Sequence, residues 1–228
     1  MSSSSQAIVV CRQVSKRYRK GEIPVDALKR VDLTLNPGQL IAASGPSGSG
    51  KSTLLNLIGL LDQPSTGTIE LFGQRSEVLK RKERQALRRK YLGFIFQNFN
   101  LLPVLNAVEN VELSLYGHPL SKDQIRNQAL AMLQQVGLLN RAYHYPKELS
   151  GGQQQRVGIA RALVHKPKLV MADEPTANLD TGSATEIISL MRNLSHEIGT
   201  TFLVSTHDPR LIKNMDREVT LTDGVLLS

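Results

Sequence analysis

The run Gly45-Pro46-Ser47-Gly48-Ser49-Gly50-Lys51-Ser52 constrains this chain more than any other feature. It follows the apolar segment Leu40–Ala43 and precedes an apolar stretch, Ser52–Leu61, that reads as a helix. Strand, glycine-rich turn and helix in that order are the context that G-x-x-x-x-G-K-[ST] requires. The glycines let successive backbone N–H groups turn inward around phosphate oxygens, and the helix N-terminus adds positive potential. Lys51 is expected to reach the terminal phosphates and the Ser52 hydroxyl to hold Mg²⁺, with Ser44 and Thr53 completing the site at either end.

A phosphate loop needs a carboxylate for its metal. Leu169-Val170-Met171-Ala172-Asp173-Glu174 offers four apolar residues and then two acids, between Pro167 and Pro175. A short buried strand that ends in acids puts Asp173 where it can orient Mg²⁺ or its water. Glu174, one residue on, is placed to polarise an attacking water.

The rest of the pattern is α/β. Val31–Leu35 alternates as a half-buried strand, and Thr68–Phe72, Leu92–Phe96 and Phe202–Ser205 read as further strands. Ser121 with Gln124 forms a capping box before a helix marked by Ile125, Ala129, Met132, Leu133 and Val136 and ended by Gly137. A further helix follows Gly152, and 184–198 is amphipathic. Val219–Leu221 and Val225–Leu227 flank Asp223-Gly224 as a closing hairpin. Strands that alternate with helices from residue 40 onward predict a mainly parallel sheet. Residues 98–165 lack strand signals and read as a helical subdomain within one domain, 8–228; the serine-rich stretch in 1–7 reads as a disordered tail.

Composition narrows the class. The chain has 228 residues, 40% of them hydrophobic, and one cysteine, Cys11, which rules out an intrachain disulfide. No run of 18 apolar residues suggests a membrane span. The net charge is +8, and residues 80–90 hold seven Lys/Arg against one Glu, so that segment alone carries +6. Its readings are a solvated helix face, or contact with anionic lipid or an acidic partner. Aromatics are 4% and do not interleave with it, which argues against nucleic-acid binding.

Leu149-Ser150-Gly151-Gly152-Gln153 narrows the family. With it the chain resembles the ATP-binding-cassette (ABC) ATPases, whose signature is LSGGQ. Ser150, Gly151, Gly152 and Gln153 open a helix and make a second anion-binding surface. One ATP has one triphosphate, already wrapped by residues 45–53, so a second surface suggests a second ATP-bearing chain. The resemblance implies a P-loop core with a mainly parallel sheet, an N-terminal antiparallel β subdomain and an inserted helical signature subdomain. It also implies a head-to-tail dimer of two copies. Tyr18 resembles the aromatic that stacks on adenine; Gln97 matches the glutamine that touches Mg²⁺ and faces the membrane subunit. Asp180 matches the loop that crosses the dimer interface, and His207 the residue that contacts the γ-phosphate. His118, His144, His165 and His196 read as structural.

The finer resemblance is to the lipoprotein-releasing and macrolide-export (LolD- and MacB-like) subgroup. It rests on Leu92–Gln97, Asn100–Pro103, Val108–Val111, Leu149–Leu163 and Ala172–Asp180; Ala177 departs from the glycine frequent there. This implies an ATPase that drives a separate permease with four transmembrane helices and a large extracytoplasmic domain. The chain would then sit on the cytoplasmic face of the inner membrane, held there by the permease. The 21 residues after His207 are too few for the regulatory domain of sugar-importer ATPases. A non-transport ABC ATPase, such as an FtsE-like cell-division regulator, is the alternative. A GTPase is disfavoured by the lack of N-K-x-D. The apolar stretch Leu101–Leu105 reads either as core or as a permease socket.

Overall fold

The first strands form a long hairpin. β1 (Val9–Lys20) and β2 (Ile23–Leu35) pair antiparallel, from Val9 opposite Leu35 to Lys20 opposite Ile23. Sequence alternation marks only Val31–Leu35 of this unit. Register shifts between Cys11 and Arg17 break the two-residue period, and charged residues fill the exposed turn end. This computed structural model describes residues 7–20 and 23–227; the expected tail over Met1–Gln6 lies outside them.

β3 (Leu40–Ser44) feeds the phosphate loop and α1 (Lys51–Ile58). α1 stops short of the expected Leu61, because Gly59 caps it and Leu60 turns to φ 56°. β4 (Thr66–Leu71) and β5 (Gln74–Arg75) join the hairpin in one antiparallel sheet, ordered β2-β1-β4-β5. The basic run is α2 (Arg81–Tyr91), leading into β6 (Leu92–Ile95).

The middle segment is helical, as its pattern predicts. It holds α3 (Ala107–Glu112), α4 (Lys122–Gln135) and α5 (Gly151–Leu163). The capping box at α4 forms, with the Gln124 N–H donating to Ser121 Oγ at 3.2 Å and the Ser121 N–H to Gln124 Oε1 at 2.8 Å. α5 starts two residues earlier than expected, because Ser150 and Gln153 form the same box around its first turn. α3 escapes the sequence reading: at six residues it is too short for periodicity to mark.

β7 (Leu169–Asp173), α6 (Thr181–Ile198), β8 (Thr201–Thr206), α7 (Pro209–Ile212), β9 (Arg217–Thr222) and β10 (Val225–Leu227) complete the second sheet. Its order is β10-β9-β3-β8-β7-β6, with every pair parallel except the β9–β10 hairpin. Both faces are covered, which is why its strands read as unbroken apolar runs. In β7, Leu169 and Met171 pack toward α1 and the antiparallel sheet, while Val170 and Ala172 pack against α3–α6.

Gly93 sets the distance between α5 and β6. A Cβ there would collide with the Ala162 carbonyl oxygen, which is backbone and cannot swing away. Gly158, inside α5, has no such neighbour: the nearest atom to a Cβ would be Gln155 Oε1 at 3.7 Å. Gly93→Ala should therefore lower stability by about 1–3 kcal/mol. Gly158→Ala should raise it by up to about 1 kcal/mol through helix propensity. Urea midpoints at constant slope check both.

Candidate active site

The loop from Gly45 to Gly50 is held from below. A Cβ at Gly45 would strike the Leu221 carbonyl of β9, and one at Gly50 would lie 2.5 Å from the Ala27 carbonyl of β2. At φ 139° and 107° these positions also suit only glycine. Lys51, the first residue of α1, is buried, and its ammonium donates to the Gly45 and Pro46 carbonyls at 2.8 and 2.9 Å. The loop is thus wound around its own cation, which its carbonyls hold in place.

A cleft of about 420 Å³ opens over this loop. It brings Ser47, Gly48 and Gly50–Thr53 together with Gln97, Asp173, Glu174 and His207, so four segments far apart in sequence converge as expected. Ser52 Oγ donates to Asp173 Oδ1 at 2.9 Å. Hydroxyl, carboxylate and, with Gln97, amide oxygens form a hard-oxygen donor set of the kind Mg²⁺ takes beside substrate phosphates. With one carboxylate and two neutral oxygens, the donor set suits an ion that leaves positions for phosphate and water.

The two acids at the end of β7 are positioned by β8. Ser205 Oγ donates to Asp173 Oδ1 at 2.5 Å and accepts from the Glu174 N–H at 3.0 Å. Glu174 sits at φ 46°, a left-handed conformation that a glutamate adopts at a cost, and the same N–H also reaches the Ser205 carbonyl at 3.2 Å. Its side chain is mostly buried, and its Oε1 accepts from His207 Nδ1 at 3.0 Å. An ionised carboxylate only accepts, so Nδ1 carries the proton. The His207 ring is otherwise largely exposed to the cleft. Sequence reasoning did not anticipate the His207–Glu174 contact or the role of Ser205; both depend on which strand neighbours β7.

Other expected residues lie elsewhere. Ser44 is buried behind the loop, donating to Glu218 Oε1 at 2.5 Å and lying 3.1 Å from Thr220 Oγ1. Pro46 and Ser49 do not line the cleft; the Ser49 side chain is buried and its carbonyl accepts from the Gly224 N–H. Tyr18 stands outside the cleft wall, with its hydroxyl donating to Asp62 Oδ2 at 2.9 Å and Lys16 over its ring. Asp180 caps α6: it accepts from the Ser183 N–H and hydroxyl, and the hydroxyl bond above all holds its carboxyl below the usual range.

Ser150, Gly152 and Gln153 line a different cleft of about 260 Å³, which shares no residue with the first. Gly151 packs on Leu179 and Phe99. Two further residues, to which the sequence reading assigns no individual role, fasten the segment after Gln97. The Asn178 amide donates to the Gln97 carbonyl at 3.1 Å, and Arg161 of α5 donates to the Phe99 and Asn100 carbonyls at 2.7 and 2.5 Å. Beyond them the apolar stretch divides: Leu102, Pro103 and Val104 are exposed, while Leu101 and Leu105 are partly buried. The fully buried Asn110 ties that stretch to α3 through the Leu102, Leu105 and Asn106 carbonyls.

Comparison with known proteins agrees with this geometry. The ABC transporter family model matches residues 28–177. The chain is 45% identical over 226 residues to the lipoprotein-releasing system ATP-binding protein LolD of Shewanella frigidimarina, covering 99% of this chain and 95% of that one. It is 42% identical over 224 residues to the macrolide export ATP-binding/permease protein MacB of Rhodopseudomonas palustris, covering 98% of this chain and 34% of that longer protein. The dimeric ATP-binding cassette MJ0796, in a post-hydrolysis state bound to ADP and Pi, superposes with a TM-score of 0.89 at 42% identity, over 96% of this chain and 97% of its own. The chain belongs to the ABC transporter family, among ATP-binding proteins of the LolD- and MacB-like kind.

Proposed function

We propose that this chain is the ATP-hydrolysing subunit of a transporter of the lipoprotein-release or macrolide-export type, working as a head-to-tail pair beneath a separate membrane permease. The observation that carries the reading is the separation of the two clefts: Lys51 and Ser52 line one, Ser150 and Gln153 line the other, and the two share no residue. A second copy supplies the missing half. Among the described residues no helix is long and apolar enough to cross a membrane; in this reading the permease supplies the spans. In this reading the permease has four transmembrane helices and a large extracytoplasmic domain, and the subunit rests on the cytoplasmic face of the inner membrane.

The chain's own residues divide the chemistry. Lys51 exchanges its loop-carbonyl partners for phosphate oxygens. Ser52, Asp173 and Gln97 would hold Mg²⁺, which neutralises phosphate charge when bound. Glu174 accepts a proton from water aimed in line with the γ-phosphate. His207, donating from Nδ1 to Glu174 Oε1, keeps that carboxylate oriented and lies beside the γ-phosphate, where it becomes a donor through Nε2 only by taking up a second proton. Ser150–Gln153 of the partner subunit close over the same phosphate, and hydrolysis removes the bridge between the two copies. Tyr18 stacks on adenine, and Asp180 contributes at the interface. The exposed Leu102–Val104 turn, pinned to the cleft through Gln97–Asn100, is the surface that meets the permease.

Glu174→Gln should keep ATP affinity, lose about 100-fold or more of turnover, and accumulate an ATP-bound dimer in size exclusion. Undiminished phosphate release would remove Glu174 from the role of base.

Homodimers of Lys51→Ala and of Ser150→Arg should each be nearly inactive, because each lacks one half of both sites. A Ser150→Arg protein that hydrolyses ATP normally as a purified dimer would overturn the head-to-tail arrangement.

Leu102→Glu should abolish membrane recruitment by the permease while leaving nucleotide affinity within about twofold, since desolvating an unpaired charge costs several kcal/mol at an interface and nothing in free solvent. Vesicle co-sedimentation beside nucleotide titration separates the two. Retained recruitment would move the permease contact elsewhere.

A further inference from the structure

Arg81, Arg84 and Arg88 are spaced three and four apart on α2, so their side chains share one face of the helix. That face and the turn after α1, Leu60–Gln63, enclose a groove of about 450 Å³, separate from the ATP cleft. Among the described residues none of the three arginines pairs with a carboxylate. Asp62 is the one acid in the groove wall, and it is engaged elsewhere: it accepts from Lys16 Nζ at 2.7 Å and from the Tyr18 hydroxyl at 2.9 Å. Burial raises its carboxyl, and the hydrogen bonds from Lys16, the Gln63 N–H and Tyr18 outweigh that, leaving it below its ordinary value and fully charged near neutrality.

The arginines themselves find only neutral partners. Arg88 donates to the Leu60 carbonyl at 2.7 Å. The Arg84 amino groups face the Gln63 side-chain amide, and Arg84 Nε is buried with no partner at all. Burial, and then the charge of Arg84, push the Arg88 guanidinium below its usual value. Like charges held together in a half-buried groove raise the free energy of the empty site, and an anion between them reverses the sign. Phosphate oxygens match the planar fork of a guanidinium better than a single-point anion does. Lys82 and Lys90 lie on the opposite face of α2 and add a field that draws such a ligand in.

We propose that the groove of Arg81, Arg84 and Arg88 is a second phosphate-binding site of this chain, one that takes the phosphate group of an anionic lipid headgroup or of a soluble phosphate compound. The test uses the full chain with ADP and Mg²⁺ present, so that the phosphate loop is filled. One arm measures flotation with phosphatidylcholine vesicles with and without phosphatidylglycerol. The other measures inorganic pyrophosphate binding by calorimetry. Arg81→Gln with Arg84→Gln should weaken binding about tenfold or more in at least one arm, the scale of a lost charge-assisted hydrogen bond. Lys82→Gln with Lys90→Gln removes the same charge from the opposite face and should weaken it by less than about threefold. Selective loss in the vesicle arm assigns a lipid headgroup; selective loss in the pyrophosphate arm assigns a soluble phosphate. Equal loss in the two double variants, or no binding in either arm, overturns the site. Arg81→Gln alone, at an exposed position, carries the same contrast against Lys82→Gln should the double variant fail to melt cooperatively.

Discussion

β7 and β8 run side by side with Asp173 opposite Ser205, and the Ser205 hydroxyl spans both acids at the strand end. This register decides what the cleft can do. A slip of one residue would turn Asp173 away from Ser52 and into the face that holds Val170 and Ala172. It would also release the Glu174 N–H, whose bonds to Ser205 offset the strain of a left-handed glutamate, a strain of about 1–3 kcal/mol against about 1 kcal/mol for each hydrogen bond gained. The hydrogen bond from Ser52 to Asp173 then joins the first turn of α1 to β7, so loop and carboxylates are fixed in one frame.

The same frame extends outward through backbone carbonyls. Asn178 lies five residues after Asp173 and holds the Gln97 carbonyl, while Arg161 holds those of Phe99 and Asn100. Burial depresses the Arg161 guanidinium, yet it remains a cation, and two carbonyl oxygens are what compensate its lost water. Phe99 and Asn100 both adopt positive φ, which folds the segment tightly enough for one guanidinium to reach both carbonyls. Gly93 completes the connection by letting α5 lie directly on β6. The signature helix is thus tied to the segment after Gln97, and through it to the exposed Leu102–Val104 turn, by short side-chain-to-backbone links.

Much of this was legible in the sequence where chemistry is local. The phosphate loop, the acids at the end of β7 and the cap at Ser121 are each read within a few residues, because loop, strand end and helix start impose composition at fixed offsets. The parallel strands were legible for the same reason: burial on both faces leaves only apolar residues in Leu169–Ala172 and Phe202–Val204. The long hairpin β1–β2 was not, since its bulges shift the period and one face is polar. Ser205, Asn178, Arg161 and the His207–Glu174 contact were equally hidden. Each acts across strands or between helix and loop, and such pairing follows from strand order, which no single segment encodes. Tyr18 and Asp180 were marked by resemblance alone, and their side chains here bond to Asp62 and Ser183 outside the cleft.

The small cleft at the signature shows why one copy is chemically incomplete. The first turns of α5 and α6 both line it, through Ser150, Gly152 and Gln153 on one side and Ser183 on the other. Two helix N-termini that meet in one cleft make it attract anions. Its acid, Glu186, is paired with Arg156 at 2.8 Å, and Asp180 beside it is saturated by Ser183. Gly152 approaches Ser183 so closely that a Cβ would lie 3.3 Å from its hydroxyl oxygen, so the signature turn packs directly on the start of α6. Each chain thus holds one enclosing phosphate loop and one open anion-attracting surface that do not face each other. Two chains hold two of each. In the proposed head-to-tail pair, two copies are the smallest assembly that gives every bound triphosphate both surfaces and leaves none unmatched.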